Sequence, residues 1–363
     1  MMTMVVGSHL RWDGVRQRPQ HLLSRLAKHA KIIVVEEPFA ADYEADEVRE
    51  VDGLSVVRPL RRSAGYDVDA RAFETIHRLA GSDIDVVWLY TPMMIDIVDA
   101  FTPRTVVFDC MDDLRSFANA PAELGEREAR LMSRADVVFC GGRSLHDARK
   151  AAHPNVHLYA SGVETARFRR ARMLEPHPLL RDLARPILTY TGVIDERIDV
   201  DTIAYVADAL PEMNVMMVGP VVKIDPATLP RRTNVHFTGI VAYDTLPSFL
   251  AGTDVALMPF ALNESTHNIS PTKTLEYFAA GVPVATTPIA DVATAFADLA
   301  YIAPPGAPFV DAIRAALVAD PDRLARAQAV AAEHDWDSIA DAMWRDLQAA
   351  RAMTSAPSRA SAH

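Results

Sequence analysis

The sequence is poor in the features that mark several large protein classes. It holds two cysteines, Cys110 and Cys140, each inside an apolar run. That is too few for a disulfide framework and fits buried, reduced thiols. Metal-ligand spacings such as CxxC and HExxH are missing and the twelve histidines are scattered, so no metal is expected. No stretch approaches the length of apolar run that spans a bilayer. The opening MMTMVVGSHL has neither a charged n-region nor a long apolar core; the expectation is a cytoplasmic protein, with a peripheral position at the inner face of the membrane as its extension. Positive charge is also in deficit. The net charge of −11 and pI near 5.5 argue against nucleic acid as the main partner. Local basic runs do occur, at Arg167, Arg169, Arg170 and Arg172 and at Arg58, Arg61 and Arg62. They read as solvated faces or as contacts with an anionic membrane surface.

What the sequence does have is length and apolar content. Its 363 residues, half of them hydrophobic, suffice for two domains with a core each. Short β-branched runs recur at 4–6, 31–35, 85–90, 105–109 and 135–140, with helical patterns between them. That alternation predicts a parallel sheet covered on both faces. After NVHLY at 155–159 comes a charged, proline-terminated stretch that reads as a connector. A second alternating series follows at 186–192, 214–219, 234–239, 254–260 and 283–288, its strands ending in Gly or Pro. The fold class is therefore α/β, with two doubly wound domains in tandem: 1–175, then 176–332. A helix over 333–350 carries apolar residues at helical spacing and packs against something; 351–363, small and polar, reads as disordered. The segments AADYEADEVRE and RRSAGYDVDA read as loops.

Ligand contacts are expected beyond the carboxyl ends of such strands. In NISPTKTLEYFAAGVPV, Ser270 reads as an N-cap and Pro271 as N1, with Gly281 ending the helix. Lys273 then sits in the first turn, where the helix dipole disfavours a cation unless an anionic ligand is present. Glu276 shares its face. The loop after the strand at 186–192 brings Gly192 and Arg197, whose guanidinium suits a phosphate. In the first half, Gly7 allows a tight backbone approach, and His9, Arg11, Asp13 and Arg18 follow it. Asp112 and Asp113 lie just past another strand, where one of them serves easily as a cap and the other does not. The glycine pattern of dinucleotide-binding proteins is not present.

Taken in order, several segments resemble glycosyltransferase family 4 and its relatives in the GT-B superfamily. YASGVETARF is similar to the family's NGVD-x-x-x-F signature, with Ser161 for Asn and Glu164 for Asp. NVHFTGIVAYDTLPSFLAGTDVALMPF and KTLEYFAAGVPVATT resemble its later segments, and WDGVRQRPQHLL with FDCMDD resembles a subgroup among exopolysaccharide and cell-envelope transferases. The likeness is densest over 155–290. It implies a GT-B fold of two Rossmann-like domains, the first (1–175) for the acceptor and the second (176–332) for a nucleotide-sugar donor, with 333–350 returning to the first. By position Glu276 falls on the second glutamate of an E-x7-E motif, which holds the donor ribose, and Arg197 and Lys273 on residues that neutralise its diphosphate. The first glutamate's place is taken by Asn268, with Glu264 four residues earlier. Ser270, Pro271 and Thr272 would cradle the donor.

The activity this implies is sugar transfer from a nucleoside-diphosphate sugar to an acceptor hydroxyl of a glycan or lipid-linked acceptor, with retention, without cofactor or metal. Asp112 or Asp113 acting as general base would make inversion possible. A nucleotide-sugar epimerase or phosphorylase of the same fold, or a catalytically silent nucleotide-binding subunit, are the alternatives.

Overall fold

The computed structural model describes residues 1–354 except Ala118, Asn119, Glu264, Ser265, His267, Asn268, Ser270 and Pro271. The chain divides into two compact units, Met1–Ala160 with Asp337–His363, and Ser161–Trp336. Both are α/β with largely parallel sheets, as the alternation of short apolar runs and helices predicts.

The first unit's strands among the described residues are β1 (Met2–Ser8), β2 (Ala30–Glu36), β3 (Phe39–Ala40), β4 (Ala45–Val51), β5 (Leu54–Arg61), β6 (Val86–Leu89), β7 (Thr105–Cys110), β8 (Val137–Cys140) and β9 (Val156–Leu158). Their order is β3-β5-β2-β1-β6-β7-β8-β9, with β4 antiparallel on the edge of β5. β6 and β8 are buried throughout, as parallel strands covered on both faces must be. Cys110 and Cys140 are free and buried here. Burial pushes the Cys140 thiol up to about 12 and Cys110 well above its usual value, which keeps both as inert thiols.

The hairpin β4–β5 corrects the reading of 40–50 as a loop. Asp52 and Gly53 both take positive φ, 53° and 80°. That is the geometry of a two-residue turn matched to strand twist, and Asp-Gly is its strongest sequence signal.

The second unit contains β10 (Ile187–Thr191), β11 (Asn214–Val218), β12 (Val235–Phe237), β13 (Val255–Met258), β14 (Val284–Thr286) and β15 (Tyr301–Ile302). All described pairings in this sheet are parallel, in the order β12-β11-β10-β13-β14-β15. The chain reverses direction of winding between β10 and β13, as in Rossmann folds. The boundary between units falls at Ala160/Ser161, not at 175. The connector folds onto the second unit: Phe168 and Ala171 enter its core, and the Thr165 hydroxyl donates to Ala331 O.

The last helix, Trp336–Thr354, starts later than 333 and runs past 350; residues 355–363 lie outside the described residues. From Asp337 onward the chain belongs to the first unit. Arg25 and Lys28 pair with Asp337 and Asp341, the His29 ring stacks on Trp344 at 4.9 Å, and Arg351 reaches Asp85 at 2.8 Å. No helix among the described residues is long and apolar enough to cross a membrane.

Arg18 begins the helix Arg18–Leu26 and was expected to face a ligand. It is instead 2% exposed, 2.9 Å from the fully buried carboxylate of Asp109, and its Nη1 donates to Tyr159 O at 2.7 Å. Two opposite charges taken together from water leave neither free for a substrate. Arg18→Met should lower the urea unfolding free energy by about 3–5 kcal/mol, because it strands a buried carboxylate, and Arg18→Met with Asp109→Leu should recover much of that loss.

Candidate functional site

The winding reversal in the second unit sets two loops side by side at the carboxyl edge of the sheet, the place where open α/β sheets bind ligands. The loop after β10 holds Gly192, Asp195 and Arg197, and the chain leaving β13 leads to the helix Thr272–Ala280. They are zipped together: Ile198 bridges Phe260 antiparallel, and Ala261 N–H donates to Arg197 O at 2.8 Å.

Tyr277 fixes the helix to the strand. Its hydroxyl oxygen accepts the Thr191 N–H at 2.8 Å and is 3.2 Å from the Thr191 hydroxyl, all buried. One helical turn earlier, Lys273 is thereby laid over Gly192. A Cβ on Gly192 would come within 2.0 Å of Lys273 Cε and 2.7 Å of its Nζ, and the backbone there has φ of 139°. Only glycine meets both conditions. Gly219, at the end of β11, repeats the pattern with φ of 141° and a Cβ position 2.0 Å from Gly192 O. The Lys273 ammonium also stands 5.7 Å from the Tyr190 ring centroid, and the Tyr190 hydroxyl is held by donation to Val193 O at 2.7 Å.

Glu276 sits on the same helix, partly covered. Burial pushes its carboxyl up to about 7; Lys273 pulls it down and the carboxylate of Glu164 pushes it further up. Glu164 precedes the helix Thr165–Arg169 and pairs with Arg167 at 3.0 Å. The Arg167 guanidinium lies 5.0 Å over the Tyr243 ring and also pairs with Asp244. Burial and the neighbouring Glu276 and Glu164 hold Tyr243 in its neutral form. A lysine, two carboxylates and three tyrosines, of which Tyr190 and Tyr277 are buried, thus share this edge.

Arg197 is at this edge as expected from sequence, but its guanidinium forks onto Asp195, with contacts of 2.7–3.1 Å. Asp195 is 4% exposed and so presets the arginine's direction. Thr272 opens the helix. Asn268, Ser270 and Pro271, and with them Glu264, lie outside the described residues. The sequence reading did not single out Asp195, Tyr190, Tyr277 or Tyr243. Tyr277, four residues after Lys273, carried the one usable signal: a polar-tipped aromatic on the buried side of a helix needs a partner.

In the first unit the remaining candidates are occupied by structure. Gly7 is small because a Cβ would lie 2.7 Å from Leu89 and 3.2 Å from Met94; packing explains it, so it is set aside as a donor contact. Arg11 donates to Glu37 O and lies 3.5 Å from Glu36, and Asp13 pairs with Arg49 and Arg58. Glu36, fully buried at the end of β2, binds Arg58 at 2.7 Å and was not foreseen. Glu37 is pushed up to about 7 by burial, opposed by Arg11. His9 follows β1, half-buried. Asp113 precedes the short turn Leu114–Ser116, accepts the Ser116 hydroxyl at 3.0 Å and lies 3.6 Å from Arg115 and 3.9 Å from Arg149. Asp112 is half-buried, and its carbonyl faces the Cys110 thiol at 3.5 Å. Asp113 is thus held in a charged cluster, which accounts for it without catalysis.

Residues 201–345 match the model of a family described as glycosyl transferase-like. TuaH of Bacillus subtilis strain 168, a glycosyltransferase assigned to teichuronic acid biosynthesis, is 26% identical over 198 residues, half of this chain and half of that protein. Among solved structures, a sucrose-phosphate synthase from Thermosynechococcus elongatus superposes with a TM-score of 0.72 at 15% identity, over 96% of this chain and all of the other. The Anabaena protein HepE, in complex with UDP and glucose, does so with a TM-score of 0.66 at 13% identity, over 96% and 100%. The structural likenesses establish the GT-B fold of two Rossmann-like domains. Over residues 201–345, then, a chain of GT-B fold is similar to the glycosyl transferase-like family.

Two outcomes follow from the geometry of this edge. Gly192→Ala should lose about 1–3 kcal/mol in urea unfolding, through a strained φ and the collision with Lys273. For Glu276, the folded pKa of about 7 lies above the 4.5 of an unfolded chain. Its stabilising neutral form is complete below 4.5 and lost as pH rises to 7, so Glu276→Gln should match the wild type in unfolding midpoint near pH 4.5 and exceed it above pH 7.

Proposed function

We propose that this chain, GT-B in fold and glycosyl transferase-like in its second half, transfers a sugar from a nucleoside-diphosphate donor to an acceptor hydroxyl in cell-envelope or extracellular glycan synthesis. The observation that carries the reading is the Lys273 ammonium laid across Gly192 at the winding reversal, one turn before Glu276. A cation held at a helix start is costly by itself and becomes favourable beside a diphosphate. Glu276, as carboxylate, would accept the two ribose hydroxyls.

In the reaction the bond between the anomeric carbon and the diphosphate oxygen breaks, and a bond from that carbon to the acceptor oxygen forms. The acceptor proton passes to a phosphate oxygen of the leaving nucleoside diphosphate. Negative charge grows on that diphosphate, so preset cations lower the barrier. Lys273 and the first N–H groups of its helix supply that charge, and Arg197, aimed by Asp195, adds a second cation; in this reading no divalent metal carries the step. Attack on the face that the leaving group vacates gives retention, with the leaving phosphate as base. That HepE is held with UDP and glucose makes UDP-sugars the first donors to test. Arg11, Asp13 and His9 are the residues to examine for acceptor binding.

Thermal unfolding against a panel of nucleoside diphosphates tests this reading. Ligand at one hundred times its dissociation constant should stabilise by about 2.7 kcal/mol, and absence of any shift across the panel would refute it. Lys273→Ala should lower turnover roughly 10²–10³-fold. Wild-type turnover in that variant would remove the lysine from the mechanism.

A further inference from the structure

The mechanism leaves unused the outer face of the chain between the units' boundary and β10. Residues 169–182 hold four arginines, Arg169, Arg170, Arg172 and Arg181, against Glu175 and Asp182, in a protein with a net charge of −11. Among the described residues Arg169, Arg170 and Arg181 enter no ion pair. Between them stand two of the most exposed large apolar side chains of the chain, Met173 at 82% and Leu179 at 55%.

The segment holds this display rigidly. The His177 N–H donates to Ser248 O at 2.9 Å, and the His177 ring stacks on Phe249 at 3.9 Å. Leu180 packs against Gly252, whose Cβ position lies 2.7 Å from Leu180 Cδ1, and Ala171 is buried in the core. With Ala171, His177 and Leu180 turned inward, Arg170, Arg172, Met173, Leu179 and Arg181 are left outward.

The patch is distinct from the proposed donor site. Arg172 Cδ is 3.8 Å from the Cβ position of Gly281, just past the last residue of the helix Thr272–Ala280. Lys273 stands near that helix's other end, roughly 12 Å away by helical rise.

We infer that this face docks on an anionic lipid bilayer, its arginines meeting headgroup phosphates while Met173 and Leu179 enter the interface. Neither half suffices alone: clustered arginines attract a negative surface, and exposed apolar side chains add the burial that such a surface offers. A soluble polyanion would engage the arginines but give Met173 and Leu179 nothing to enter.

The full-length protein should co-sediment with phosphatidylcholine vesicles containing phosphatidylglycerol and not with phosphatidylcholine alone, and added salt should release it. Arg169→Glu, Arg170→Glu and Arg181→Glu together should weaken binding at least roughly a hundredfold. Met173→Ser with Leu179→Ser should weaken it while leaving the salt dependence in place. Arg71→Glu with Arg78→Glu, exposed elsewhere, should leave binding unchanged. All variants should keep the wild-type unfolding midpoint and nucleoside-diphosphate affinity in solution, which separates this inference from the donor reading. Equal vesicle binding by the wild type and the triple arginine variant would overturn it. So would binding that ignores phosphatidylglycerol, or a Met173/Leu179 variant as tightly bound as wild type.

Discussion

The candidate ligand edge of the second unit depends on one hydrogen bond, from the Thr191 N–H to the Tyr277 hydroxyl oxygen. Thr191 is the last residue of the central strand and Tyr277 lies inside the helix that leaves the neighbouring loop. The bond ties the helix to the strand end and so decides what lies over what. Lys273 comes down on Gly192, Glu276 faces Glu164 and Tyr243, and the strand's exit must be a glycine. Because the bond is buried, losing either partner would leave an unsatisfied polar group, and the arrangement resists drift.

The same edge explains why its carboxylate and cation coexist. Glu276 is pushed toward neutrality by burial and by Glu164, while Lys273 draws it back toward ionisation. Such opposed influences hold a group near its titration point, where a bound polar ligand can tip it. The first unit resolves its charges differently. Arg18 with Asp109 is a closed pair beneath the surface, and the buried Glu36 is matched by Arg58, which also reaches the exposed Asp13. They order the sheet's carboxyl edge and the seat of the last helix.

Much of the fold was legible. Runs such as VVWLY and VALM are buried on both faces, and a continuous apolar run between helical patterns has few other homes. The hairpin of β4 and β5 was missed although Asp52-Gly53 announced it, because β4 is exposed and charged and shows no apolar run. The two-residue strands β3 and β15 are defined by their neighbours and carry no pattern of their own. The connector was misassigned for a related reason: its charge spoke for a linker, while Phe168 and Ala171, scattered among arginines, were what bound it to the second core.

At the site, sequence determined the residue types and their order: a lysine in the first turn of a helix, a glutamate three residues on, a glycine after one strand and an arginine in the following loop. Local rules of capping, helical spacing and strand ends suffice for that, since they act between neighbours in the chain. Which of these groups are presented and which are consumed was decided by tertiary structure alone. Arg18 and Arg197 look alike in sequence, each in the segment that follows a β-strand. One is sealed against Asp109, ninety-one residues away, and the other is aimed by Asp195, two residues away. Long-range pairing leaves no local trace, because burial cost and charge compensation are set by whatever the folded chain brings near.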